Sequence, residues 1–118
     1  MEKEPQVLVT EIVSPGTGRN FFVSSTIFQN GCFIVVTEGQ PRIGAVSMAI
    51  SASNKVSTAK VIPSKHDSIF INTMAEKVSS MINGISLVSL HSKSQLELDD
   101  MKAIMEGVLN TISSKRHE

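Results

Sequence analysis

Gly16 and Gly18 stand as GxG at the end of a β-like run, His66 precedes Asp67, and Glu97, Asp99 and Asp100 place three carboxylates close together. Residues of these types and spacings could bind a phosphate, activate a serine through a His–Asp pair, or carry acid–base chemistry. Each lacks the context its chemistry requires. A phosphate loop must open a helix whose N-terminus faces the anion, yet the RNFFVSST that follows Gly18 is strand-like, and neither a third glycine nor a Walker lysine is present. Glycines so placed suit a hairpin loop instead. No serine lies in a nucleophile elbow such as GxSxG, so a Ser–His–Asp arrangement has no anchor. His66, His91 and His117 are far apart and have no companion cysteine, which excludes the usual zinc spacings. His66-Asp67 and the acidic trio instead suit solvated helix starts, where carboxylates meet the positive end of the helix dipole. Cys32, the only cysteine, cannot form an internal disulfide and sits among apolar residues, as a buried, unreactive thiol does. The sequence thus predicts no catalytic residue, no cofactor and no metal.

Composition narrows the remaining classes. A chain of 118 residues is one domain, here taken as 1–118, with 11 lysines and arginines balancing 11 aspartates and glutamates. Without a basic excess there is nothing to neutralise a phosphate backbone, and with no tryptophan or tyrosine there is little on which to stack bases. Nucleic acid is therefore not an expected partner. The opening MEKEPQ has none of the basic-then-apolar order of a signal peptide, and no apolar run approaches the ~20 residues that cross a bilayer. The expectation is a soluble protein of the cytoplasm, with the nucleus as a second compartment and no membrane contact.

The elements that must position these residues follow from period and punctuation. Pro5 to Val13 and Arg19 to Phe28 read as strands joined through SPGTG; Gln29, Asn30 and Gly31 turn the chain into a strand from Cys32 to Glu38. Gly39 to Arg42 leads to a strand from Ile43 to Ile50, which completes a predicted four-strand meander. A polar segment, SASNKVS, connects to a short strand near Thr58 to Ile62, stopped by Pro63. The period then changes. Phe70, Met74, Val78, Met81 and Ile82 predict a helix from Asp67 to Ile82, with Ser64 or Asp67 as N-cap and Asn83-Gly84 as its stop. Ile85 to Leu90 is a short β run. A last helix, from Ser94 to Ser113, opens with Ser94 and Glu97 in capping-box spacing and carries Leu98, Met101, Ile104, Met105, Val108, Leu109 and Ile112 on one side. The fold class is α+β: a mainly antiparallel sheet of about six strands, with two main helices packed on one face.

CFIVVTEGQPRIGAVSMAI, from Cys32 to Ile50, is apolar on both faces of its strands. Two helices cover one face of a small sheet, so the other must be covered by a partner. Strand parity offers two sets. Phe22, Phe28, Phe33, Val35, Val46 and Met48 are the candidate dimer interface; Phe21, Val23, Ile27, Ile34 and Val36 form the opposite set, and parity alone does not say which set faces the helices.

In order, FIVVTEG, IGAVSMAIS, TAKVIP, DSIFINTMAEKVSSMI, ISLVSL and LDDMKAIMEGVL resemble the proteasome-assembling chaperone 3/4 family, from about Arg19 to Ile112. The most distinctive piece is IGAVSMAIS followed after a polar loop by TAKVIP. The resemblance implies a non-enzymatic subunit with helices on one side of an antiparallel sheet. It would pair through its sheet with a chaperone 4-like partner or with itself, and the pair would scaffold assembly of the proteasome α-subunit ring in the 20S core particle. The competing expectation is a roadblock-like or longin-like dimeric module of a GTPase or trafficking complex. In those modules a helix usually precedes the sheet, whereas here the first helix follows five predicted strands.

Overall fold

The computed structural model describes residues 6–116 of the chain, and Pro5 and His117 lie outside them. Strands β1 (Gln6–Val13), β2 (Asn20–Phe28), β3 (Gly31–Thr37), β4 (Ala45–Ala52) and β5 (Lys55–Ile62) precede helix α1 (Ser68–Ile82), strand β6 (Ile85–His91) and helix α2 (Leu98–Arg116). The six strands form one sheet in the order β1-β2-β3-β6-β4-β5. All neighbours are antiparallel except β3 and β6, which run parallel. The fold is α+β, as the change of period implies, but the sheet is mixed.

The predicted four-strand meander is therefore wrong at its fourth strand. β6 inserts between β3 and β4, and its sequence suits that central place: Val88 and Leu90 bury on one face while Ile85 and Leu87 lie on the other. Strand neighbours lie about 4.8 Å apart, so stepping over one strand needs only about 10 Å, which the short loop from Glu38 to Gly44 spans easily. The loop is tied to the strand it passes: Glu38 N–H donates to the His91 carbonyl at 2.9 Å, and Gly44 N–H donates to Ser89 Oγ at 2.9 Å. A Cβ on Gly44 would lie 2.2 Å from the Leu90 carbonyl oxygen, so this close crossing requires glycine.

Two turns differ from expectation in instructive ways. SASNKVS is no polar connector: Ser53 and Asn54, both at positive φ (52° and 64°), form a two-residue turn pairing Ala52 with Lys55, so β4 and β5 are a hairpin. At Asn30-Gly31 the hairpin forms as predicted, but neither residue has positive φ. Gly31 is needed because a Cβ there would lie 2.3 Å from the Ile85 carbonyl oxygen, where β6 begins alongside.

Both helices pack on one face of the sheet. Ile71, Met74, Ala75 and Val78 of α1 and Ile104, Val108 and Ile112 of α2 join Phe21, Val23, Ile34, Val36 and Val88 in one buried core. Asn83 (φ 52°) ends α1 as the sequence suggests, its N–H reaching the Ser79 carbonyl. At the other end Asp67 occupies the N-cap position with φ 68° and makes no capping bond with its side chain. Its carboxylate instead meets His66 Nδ1 at 2.8 Å and accepts from Leu96 N–H at 3.3 Å, joining the start of α1 to the loop before α2.

Candidate interaction face

The register assigns the two parity sets. Phe21, Val23, Ile27, Ile34 and Val36 lie beneath the helices, and all but the partly buried Ile27 are buried. Phe22, Phe28, Phe33, Val35, Val46 and Met48 lie together on the face that carries no helix. One row across that face runs Thr26, Phe33, Leu87, Met48, Ala59; the next runs Ser24, Val35, Ser89, Val46, Ile62. Phe22 and Phe28, on the outer side of the first rows, are 41% and 48% exposed.

Val46 differs from the other five candidates. It is 5% exposed, because the loop from Gly39 to Gly44 closes over its end of the face, where Thr37 Oγ1 donates to the Arg42 carbonyl and Ser89 Oγ accepts from Gly44. Parity reasoning also stopped short of several residues on the same face. Val7, Val9 and Val13 of β1 and Ile85 and Leu87 of β6 extend the apolar surface, and Val9 is 72% exposed. The period-2 rule applied to QVLVTEIV and ISLVSL would have found them. Among the described residues of this face, the strand charges are Glu11 opposite Phe22 and Lys55 opposite Ala52, both at the margins. An apolar sheet surface of this extent is unusual for a solitary soluble domain and is suited to association.

At one end of the sheet lies an ionic lock that the sequence reading missed. Arg19 grips Glu38 with two hydrogen bonds, Nε to Oε2 at 3.0 Å and Nη2 to Oε1 at 2.7 Å, and reaches Asp100 through Nη1 at 3.1 Å. Its remaining donors meet the carbonyls of Gln95 and Ser94, both at 3.1 Å. Asp100 is therefore not a solvated helix-start acid. It is fully buried, accepts from Thr17 Oγ1 at 2.5 Å, and accepts from Glu97 N–H at 2.8 Å, so the cap of α2 is made by Asp100 reaching back and not by Ser94. Burial pushes the Asp100 carboxyl up, but the bonds from Thr17 and Glu97 and the charge of Arg19 outweigh it and hold the group below its ordinary range. The Arg19 hydrogen bonds hold Glu38 low as well. The lock fixes α2 over the sheet and leaves the helix-free face untouched.

No protein-family model matches the chain, and no curated protein matches it in sequence. Among solved structures, "Crystal Structure of a Novel Chaperone Complex for Yeast 20S Proteasome Assembly" contains a similar chain, with a TM-score of 0.61 and 17% identity over 98% of this chain and 94% of that one. The two chains share a fold.

The chemical candidates are scattered over this fold. Gly16 and Gly18 sit in the β1–β2 loop, closed by Gly18 N–H to the Ser14 carbonyl at 2.8 Å, and do not open a helix. Among the described residues no three histidine, cysteine, aspartate or glutamate side chains cluster as metal ligands would, and no helix is long and apolar enough to cross a membrane. Cys32 lies on the helix face, and burial pushes its thiol up to about 11. At pH 8 the native thiol should react with a disulfide reagent about a hundred-fold or more slowly than in the unfolded chain, where an ordinary pKa near 8.5 leaves far more thiolate. Native and denatured labelling rates within a few-fold of each other would contradict this placement.

Proposed function

We infer that this chain is a non-enzymatic chaperone subunit, active without cofactor or metal, that works in the cytoplasm and nucleus. It pairs through its helix-free face with a chaperone 4-like subunit or a second copy of itself, and the pair holds proteasome α-subunits in order while their ring is built. The observation that carries this reading is the apolar face from Phe22 to Met48, opposite the helices and nearly free of charge. The shared fold with a chain of a yeast 20S proteasome assembly chaperone complex supports the same reading. The start of the first helix after the fifth strand favours it over a roadblock-like or longin-like module.

Purification of the tagged full chain from a cell lysate, with its companions identified by mass spectrometry, tests the assignment. Proteasome α-subunits and a second small subunit of this fold are the expected companions. Recovery of small GTPases without α-subunits would replace this reading with the trafficking-module one.

A further inference from the structure

The two edges of the sheet are protected unequally. β5 carries Lys55 and Lys60 and shifts register against β4 at Val46/Ser47, both devices that discourage another strand from adding. β1 has neither. Its eight residues hold no lysine or proline, its register with β2 is unbroken from Gln6 to Val13, and among the described residues no strand pairs with its outer side. Next to that edge a groove of about 820 Å³ runs between β1 and α2, floored by Ile12 and Gly107 and rimmed by Asp99, Lys102 and Glu106. A Cβ at Gly107 would lie 2.3 Å from Ile12 Cδ1, so glycine there lets α2 sit close over the strand. Among the described residues neither Asp99 nor Glu106 has an ion-pair partner, although Lys102 stands between them in sequence.

We propose that this groove is a docking site for an extended segment of a protein partner that alternates apolar and basic residues and adds to β1 as a seventh strand. Side chains of an added strand alternate between the two sheet faces, and each face of β1 offers a different neighbour. Toward the helices, basic side chains meet the unpaired carboxylates of Asp99 and Glu106. Toward the opposite face, apolar side chains lie beside Val7 and Val9, which are 60% and 72% exposed. Backbone pairing supplies the affinity, and the groove's negative balance selects the partner's charge.

The test is fluorescence anisotropy of the full chain with three labelled octapeptides. One alternates valine and lysine, one alternates valine and glutamate, and one is the lysine peptide with alternate backbone nitrogens methylated. The lysine peptide should bind, the other two at least about ten-fold more weakly. In the chain, Asp99→Asn combined with Glu106→Lys should weaken the lysine peptide about ten-fold at low salt, an effect that shrinks as salt rises. Circular dichroism on the double variant checks that it is folded; both positions are exposed. Equal binding of the methylated or the glutamate peptide, no binding of the lysine peptide, or undiminished affinity in the folded double variant would each overturn the proposal. So would a two-chain species that the double variant dissolves, since the groove would then be filled by a second copy.

Discussion

Val36→Asp is expected to leave the chain unfolded, while Val35→Asp, one residue earlier on the same strand, leaves it folded. Val36 is fully buried beneath the helices beside Val23 and Leu90. A carboxylate there would be buried among apolar side chains, and burying a charge without a hydrogen-bonded partner exceeds what a domain with ~5–15 kcal/mol of stability can absorb. Val35 lies on the helix-free face between Ser24 and Ser89, partly open to water in the single chain, so a carboxylate there can remain hydrated. Far-UV circular dichroism and urea titration of both variants check this. Two variants that lose structure alike, or a stable Val36→Asp, would contradict the assignment of faces.

Asp100→Ala should cost about 3–5 kcal/mol, because it removes one partner of a buried ion pair and leaves Thr17 Oγ1 and the Glu97 amide without an acceptor, while Arg19 keeps Glu38 and the carbonyls of Ser94 and Gln95. For a domain of this size that is a fall in Tm of roughly 10–20 °C. The same lock predicts an acid transition. Both Asp100 and Glu38 have folded-state pKa values below their ordinary ones, so the unfolded chain binds protons more readily as pH falls. The stabilisation is complete above the ordinary carboxylate range, about pH 4–5, and is lost as pH drops through the lowered native values. Asp100→Asn should flatten that slope. A melting temperature for Asp100→Ala within about 2 °C of the parent would show that the network holds nothing in place.

The parts of this fold that the sequence reveals are those with local causes. The switch from period 2 to period 3.6 after Pro63 marks α1, and the Asn83-Gly84 stop and the hairpin at Gly18 fall where glycine and asparagine chemistry puts them. Strand order has no such local cause. The ISLVSL of β6 reads as a strand from its residues, but its place between β3 and β4 depends on a crossover set by packing of α1 across β4 and β6. The interaction face was legible as two parity sets, and only the position of the helices chooses between them. Arg19, Glu38 and Asp100 are separated by up to 81 residues, and nothing in their local sequence joins them. Asp100 reads as an ordinary helix-start acid until the fold brings Thr17 and Arg19 to it.

Sedimentation velocity tests the central claim most directly, with the wild type alone over a range of concentrations and mixed with a chaperone 4-like subunit. The account predicts a two-chain species in at least one of these samples and its loss in the folded Val35→Asp variant. A wild type that stays a folded single chain in every sample would contradict it.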